Sequence, residues 1–271
     1  MPDRAGAGSD RGIEFISATA PISRKSDKND GNDAEAVCEA VTRPSVRFVP
    51  VKSVEQQALL ALHRVRQGFV VERTAVINRL RGLLAEFGVV LALRSVTVRR
   101  QAAEGLPELA RRAIGDLLEQ LHLLDERIGT YDKEIEAQAR LSEPARRLMK
   151  IRGIGATTAL AIVATVGNAR EFKNGRQFAA WIGLVPGQYS SGGKSRLGHI
   201  SKRGDAYLRN LLVQGARSVL QTAGAHQDRM SRWALELQAR RGYYRTLVAI
   251  ANKNARIAWA LLAKSETLRS N

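Results

Sequence analysis

The sequence predicts a mainly α-helical protein, and three observations lead to that prediction. Apolar residues recur at helical spacing over residues 53–93 and again, without a break, over residues 114–135. From residue 146 to about residue 268, short helical patterns alternate with glycine-containing basic turns, and Asp205 is predicted to start the helix that follows one of these turns. We therefore expect two long helices followed by a domain of shorter helices.

The N-terminal part has two predicted segments. Residues 1–21 are rich in Gly, Ser, Asp and Arg with little periodicity, which is typical of a disordered segment or of one separated from its structural context. Within residues 28–41, Asp33 can cap a short helix. On spacing alone, we interpret Asp30 and Asp33 as capping and solubilising residues.

The two long helical patterns predict a coiled-coil helical hairpin over residues 51–145. Residues 114–135 alternate steps of three and four for three heptads, which is a coiled-coil pattern. Such helices form either an antiparallel hairpin within one chain or a stalk that joins several copies, and both alternatives stay open. In either case the region is expected to be scaffold.

Positive charge is concentrated in the C-terminal part of the chain. The 43 Lys and Arg residues and 26 Asp and Glu residues make a net charge of +17. Residues 1–145 carry 21 of each kind, whereas residues 146–271 carry 22 basic and 5 acidic residues. Because cations that neutralise phosphates release counterions, this segregation favours a nucleic-acid-binding domain over a merely solvated basic face.

The stretch LMKIRGIGATTALAIVATVG, residues 148–167, predicts a helix-hairpin-helix motif. Gly153 and Gly155 would let backbone N–H groups approach a phosphate at a helix N-terminus, and Arg152 adds a charge within the turn. An ordinary tight connection between helices has the same spacing. The surrounding charge favours the DNA-binding interpretation.

The basic loop within residues 186–209 contains Ser190 and Ser191 directly before two glycines. Glycine gives the backbone freedom to approach a phosphodiester, and nearby cations would stabilise the charge of a pentavalent phosphorane. Because no evident general base accompanies the serines, the loop fits a phosphate-binding turn as well as a nucleophile site. The predicted phosphate-binding residues of the turn and the loop are Arg152, Gly153, Gly155, Gly192, Gly193, Lys194, Arg196, Lys202 and Arg203.

Other classes of protein are disfavoured by the composition. No apolar run reaches the ~18 residues of a membrane span, and no secretory signal is readable, so a cytoplasmic protein is expected. Cys38 is the only cysteine, which excludes an internal disulfide and any zinc site built on cysteine pairs.

Three motifs together resemble the IS110/IS116/IS902 family of insertion-sequence transposases. They are KNDGNDAEA, IRGIGATTA and RQFAAWIGLVPGQYSSGGKSRLGHISKRGDAYLRNLL, in the order in which the family has them. The resemblance covers residues 22–265. It implies a RuvC-like, RNase H-fold domain with four acidic residues, a coiled coil, and a C-terminal domain with a nucleophilic serine. In several members a structured guide RNA directs the enzyme to its DNA.

Carried onto this chain, the resemblance assigns catalytic roles to three residues. Asp30 and Asp33 look like the last two of the four metal-binding carboxylates, which would hold Mg²⁺. The nucleophile falls on Ser191, with Ser190 as its neighbouring competitor. The resemblance thus replaces the capping interpretation of the two aspartates.

The domains implied are a remnant of the RuvC-like domain over residues 22–50 and a basic serine-bearing transposase domain over residues 146–271. The family's first Asp and its Glu have no counterpart upstream of Asp30, so half of the metal site is expected to be missing. We therefore expect DNA binding, a guide RNA partner and assembly of copies through the coiled coil, without complete transposition. The alternative is a non-catalytic, dimerising helix-hairpin-helix module that binds DNA.

Overall fold

The computed structural model describes residues 52–90, 106–188 and 196–264, together with positions 34, 38, 39 and 42. Asp30 and Asp33 lie outside the described residues, as do Ser190, Ser191, Gly192, Gly193 and Lys194. Residues 1–55 form one compact unit and residues 56–271 another. The predicted segments 1–21 and 22–50 belong to the first unit, and the description below concerns the second.

Helices dominate the described residues, which confirms the prediction of a mainly helical protein. Short 3-10 turns follow two of the helices, at Ala169–Glu171 and Ala223–Ala225, and two short strands form a hairpin. The elements are α1 Val54–Glu86, α2 Glu108–Leu141, α3 Glu143–Met149, α4 Ala156–Val166, α5 Gly175–Trp181, β1 Pro186–Gln188, β2 Leu197–Ile200, α6 Ala206–Thr222, α7 Arg229–Arg241 and α8 Tyr243–Lys264.

The two long helices, α1 and α2, pack against each other in opposite directions within one chain. Nε of Arg66 lies 2.5 Å from a carboxylate oxygen of Asp132, and Arg73 pairs with Asp125 nearer the tip. As the residue number rises along α1, the number of its partner on α2 falls. The described residues thus contain an antiparallel helical hairpin, while its assembly into a coiled coil with further copies stays a prediction.

Two hydrophobic cores lie along this part of the chain. The smaller core fills the space between the helices of the hairpin, with Leu80 and Leu84 of α1 fully buried against Leu121 of α2. The larger core contains residues of α3 to α8 and also Ile135 and Ala139 from the last turns of α2. The packing of α2 therefore continues into the helices that follow residue 145.

Side-chain caps set the starts of several short helices. The carboxylate of Asp205 accepts a hydrogen bond from the N–H of Leu208 at 3.0 Å, which confirms the predicted helix start at this residue. Asn174 caps α5 and Asp228 caps α7 in the same way. Within the described ranges, no helix combines the length and apolarity that crossing a membrane requires.

Candidate nucleic-acid interface

The turn between α3 and α4 has the helix, turn and helix order that the sequence predicted. Gly153 has φ +87° and lies against α6, where a Cβ atom would come within 2.8 Å of the carbonyl oxygen of Gly215. A Cβ on Gly215 would in turn lie 1.8 Å from the carbonyl oxygen of Gly153. The close backbone contact with α6 therefore accounts for the glycine at position 153.

Gly155 is different, because it is exposed and has open space where a Cβ would be. It is the N-cap of α4, and no side chain caps that helix. Binding of a phosphate by the backbone of this turn stays a prediction.

The side chain of Arg152 is engaged in a network within the protein. Its guanidinium donates to the carboxylate of Asp228 at 2.7 Å and to the hydroxyl of Thr222 at 2.8 Å, and it also contacts Ser231 and His226. Hydrogen bonds from Ser231 are the main cause of the lowered pKa of Asp228, with a smaller contribution from the charge of Arg152. Arg152 thus ties the turn to the N-terminus of α7, and its predicted phosphate contact is not tested.

The β1–β2 hairpin flanks the segment that contains the two serines. The strands are antiparallel, with Pro186 opposite Ile200 and Gln188 opposite Leu197, and residues 189–195 connect them. The N–H of Ser201 continues the pairing by donating to the carbonyl oxygen of Val185 at 2.8 Å.

Two glycines let the backbone segments at the base of this hairpin touch. Gly183 and Gly204 both have φ +81°, and a Cβ on either would lie about 2 Å from a carbonyl oxygen of the facing segment: 2.1 Å for Gly183 and 1.8 Å for Gly204. Either substitution would force the two segments apart. The base of the hairpin therefore has a defined geometry.

Two side chains from the helices reinforce the same base. Arg209 of α6 donates to the carbonyl oxygens of Ile182 at 2.8 Å and Arg203 at 3.2 Å, and Asn252 of α8 donates to that of Leu184 at 3.1 Å. The sequence analysis named neither Arg209 nor Asn252, because both act through backbone atoms far away in the chain.

Three predicted phosphate-binding residues lie close to strand β2 in the chain, one before it and two after it. Arg196, Lys202 and Arg203 are all exposed, and in the part of the chain that the structure describes no carboxylate forms an ion pair with any of them. Lys202 has a positive φ of 52°, which is uncommon for a residue with a side chain. The structure therefore places positive charge without a described ion pair before β2, at Arg196, and after it, at Lys202 and Arg203.

A second basic surface was missed by the sequence analysis. A groove of about 2080 Å³ lies between α7, α8 and the turn after α3. Its cationic lining residues are Lys150, Arg152, Arg176, Arg229, Arg245, Lys253, Arg256 and Lys264, and its acidic lining residue is Asp228. The charge count had located the excess to this part of the chain, but not to one face of it.

The described residues contain no group of three or more His, Cys, Asp or Glu side chains that could hold a metal ion. The predicted ligands Asp30 and Asp33 lie outside those residues, so their assignment to a metal stays a prediction.

Comparison with known proteins connects these features to two transposase domains. Residues 145–231, which span the turn after α3, the β-hairpin and α6, match the family described as transposase IS116/IS110/IS902. Residues 16–89 match a transposase domain of the DEDD type of IS110, and such a domain implies a RuvC-like fold and a divalent metal ion.

Several relatives of this chain are also named as transposases. It is 47% identical over 253 residues to a probable family 20 transposase of Pseudomonas aeruginosa, covering 90% of this chain and 75% of that protein. It is 45% identical over 252 residues to the transposase for insertion sequence element IS1111A of Coxiella burnetii, covering 90% and 69%. The transposase for IS1328 of Yersinia enterocolitica is 40% identical over 241 residues, with 88% and 72% covered.

Proposed function

The chain belongs to the IS116/IS110/IS902 family of transposases, enzymes of DNA strand transfer, and on that premise we propose that it cleaves and joins DNA strands through Ser191. The observation that carries the proposal is the β1–β2 hairpin, whose base is held by Gly183, Gly204 and Arg209. A nucleophile on the segment that connects the two strands needs a hairpin that is held firmly where it joins the rest of the domain. Small displacements of a reacting group lower the reaction rate.

The chemistry follows from the residues around Ser191. Its hydroxyl oxygen forms a bond to the phosphorus of a DNA phosphodiester, and the bond from phosphorus to one deoxyribose oxygen breaks. That oxygen takes up a proton, and the serine proton leaves to solvent. Gly192 and Gly193 allow the backbone to approach the strand, and Lys194 adds positive charge next to them.

The proposed phosphate contacts near the serine are Arg196, Lys202 and Arg203. Their exposure and lack of described ion pairs support this role, because their charge is available to a ligand. For Arg152 and Gly153, the contacts with α6 and α7 support a structural role, so the proposal assigns them no direct contact with phosphate.

We propose Asp30 and Asp33 as ligands of Mg²⁺. Both lie within the matched DEDD-type domain, and two carboxylates three residues apart suit a hard divalent cation. A metal ion bound there supplies Lewis-acid stabilisation of charge on the reacting phosphate. A structured guide RNA and the assembly of copies through the α1–α2 hairpin are part of the proposal on the family resemblance.

The test is a search for a covalent protein–DNA adduct. The full chain is co-expressed with RNA transcribed from the sequence flanking its coding region, purified, and incubated with Mg²⁺ and labelled DNA from the same sequence. The products are separated by denaturing electrophoresis. Ser191→Ala is the test variant and Ser190→Ala the matched control. We expect an adduct with the wild type and with Ser190→Ala, and none with Ser191→Ala.

Two outcomes would contradict the proposal. An adduct that persists in Ser191→Ala but disappears in Ser190→Ala would move the nucleophile to the neighbouring residue. Salt-sensitive binding of DNA without an adduct from any variant would instead support the non-catalytic DNA-binding module.

A further inference from the structure

The groove between α7 and α8 is a second candidate site, and Leu184 and Pro186 at the base of the β1–β2 hairpin belong to its lining. One wall is α8, another is the start of α7, and a third is the start of α5 with the turn after α3. Gly175 at the start of α5 lies against the backbone of Arg256, where a Cβ would be 3.0 Å from the Arg256 Cα atom. Much of the lining comes from α8, which lies beyond the matched residues 145–231.

The helix α8 has one buried face and one cationic face. Leu247, Ile250, Asn254, Ala258 and Leu261 are buried in the larger core or against it. The lining residues Arg245, Lys253, Arg256 and Lys264 recur along the other side of the helix at helical spacing. From Arg245 to Lys264 the helix rises roughly 28 Å, so the charges form a row rather than a single cluster.

Three arginines of the groove have no ion pair among the described residues. Asp228 supplies the one carboxylate of the lining, and it is already bound to Arg152. Among the described residues, no carboxylate forms an ion pair with Arg229, Arg245 or Arg256. An anion in the groove would therefore meet cations that have no competing partner.

The surroundings of Lys253 are unfavourable to its own charge. Burial lowers the pKa of its ammonium group, and the nearby charges of Arg229 and Arg256 lower it further. The same ammonium group lies 4.2 Å from the centre of the Trp233 ring. A phosphate beside these three cations would relieve their mutual repulsion.

Apart from Asn174, Asn252 and Asn254, the remaining lining residues are glycine or apolar residues, and this favours single strands over duplexes as ligands. Apolar and aromatic side chains occur between the cations, among them Trp233, Leu184, Val248, Ile257 and Trp259. A duplex presents its phosphates outwards and keeps its bases stacked inside, so its bases cannot contact the apolar side chains of the groove. A single strand offers unpaired bases to the apolar side chains and phosphates to the cations.

We propose that the groove between α7 and α8 binds a single-stranded segment of nucleic acid, with phosphates on Arg229, Arg245 and Arg256 and a base near Trp233. The proposal rests on the proposed function only in that the chain acts on nucleic acid. Strand exchange produces unpaired strands, so a protein that performs it needs a surface that holds them.

The test is equilibrium binding of the full chain to labelled oligonucleotides of about 12 nucleotides over a series of salt concentrations. The probes are single-stranded DNA, single-stranded RNA and duplex DNA of one mixed sequence. The test variant is Arg245→Gln/Arg256→Gln, at two exposed groove positions. The matched control is Arg217→Gln/Arg240→Gln, which removes the same charge from exposed positions outside the groove.

We expect the test variant to bind single strands roughly tenfold more weakly. Its plot of log K against log salt should be less steep by about 1.4, because two phosphate contacts are lost and each contributes about 0.7 to the steepness. The control should retain the slope of the wild type. A Trp233→Leu variant should also bind single strands roughly tenfold more weakly, and Trp233→Phe should recover most of the affinity because an aromatic ring is restored.

An unchanged slope in the test variant, an equal loss in the control, or a loss confined to duplex DNA would overturn the proposal. Weaker binding of only single-stranded DNA, or of only single-stranded RNA, supports the proposal and identifies the polymer. Weaker binding of both indicates that the groove recognises the phosphates and unpaired bases that the two share. This titration measures equilibrium binding, whereas the serine proposal is tested by formation of a covalent adduct. Failure of the serine proposal would therefore leave this result unaffected.

Discussion

Acidification should destabilise the junction between the helical hairpin and the basic helices through one histidine. His63 of α1 is only 1% exposed, and its Nδ1 atom lies 3.1 Å from the hydroxyl oxygen of Tyr207 on α6. Within the described residues, Nε2 of His63 has no hydrogen-bond partner. Burial, and then the nearby charge of Arg66, lower the pKa of His63 from 6.5 to about 4.

The sign and size of the effect follow from this pKa. Between pH 6.5 and about 4 the unfolded chain binds a proton at His63 that the folded chain does not, so the free energy of unfolding decreases as the pH falls through that window. The stabilisation is fully present above pH 6.5. A pKa difference of about 2.5, at about 1.4 kcal/mol for each unit of pKa, corresponds to a loss of about 3.5 kcal/mol when the window has been crossed.

The assay is urea denaturation followed by circular dichroism at several pH values from 7.5 to 4.5. His63→Phe keeps a ring in the site but cannot be protonated, so wild type and variant should diverge by about 2 to 3 kcal/mol at the acidic end. Asp132, which pairs with the neighbouring Arg66, is present in both proteins and cancels in the difference. His122→Gln, at an exposed histidine on α2, should follow the wild type.

Parallel pH dependences for the wild type and His63→Phe would refute the reasoning, because they would show that His63 takes up its proton equally well in the folded and unfolded chains.

Two further predictions concern the turn after α3 and the start of α7. Gly153→Ala should lower the free energy of unfolding by about 2 kcal/mol or more, because its Cβ would meet α6 at a position of positive φ. Gly155→Ala should change the free energy of unfolding little, because a Cβ there would lie in open space. Thermal melting of both variants checks this, and equal melting temperatures would contradict it. Asp228→Ala should lower the free energy of unfolding by about 1 kcal/mol, because α7 loses its N-cap and Arg152 loses its carboxylate partner. Asp228→Asn keeps an oxygen that can cap the helix, so it should be destabilised less. The same melting experiments give the order of the two variants, and a larger destabilisation in Asp228→Asn would contradict the capping role.

The two features of the fold that were predicted depend on residues close together in the chain. The long helices are readable because apolar residues three and four apart share a face, and Asp205 could be named as a helix start because it caps the N–H of Leu208 three residues later. The uneven division of charge is likewise a property of the sequence. These observations, with three motifs, led to the transposase family that the comparisons support.

The contacts of Arg152 could not be inferred from its neighbours in the sequence. Its position beside two glycines in a basic region suggested a phosphate contact, but its guanidinium binds Asp228, which lies 76 residues further along the chain. Gly153 suggested a free backbone for a ligand, and that contact stays a prediction, but a Cβ at this position would meet the backbone of Gly215, which is distant in the chain. Neither partner could be identified from local spacing.

By itself, the sequence determined that the protein is helical, that its excess of positive over negative charge lies after residue 145, and that its motifs are those of a transposase. Only the tertiary structure decided that α1 and α2 pair within one chain, that Arg209 and Asn252 hold the base of the serine-bearing hairpin, and that α7 and α8 enclose a cationic groove. The physical reason is the range of the interactions. Helical periodicity and capping act over a few residues, whereas a groove or a buried network exists only where surfaces from distant parts of the chain meet.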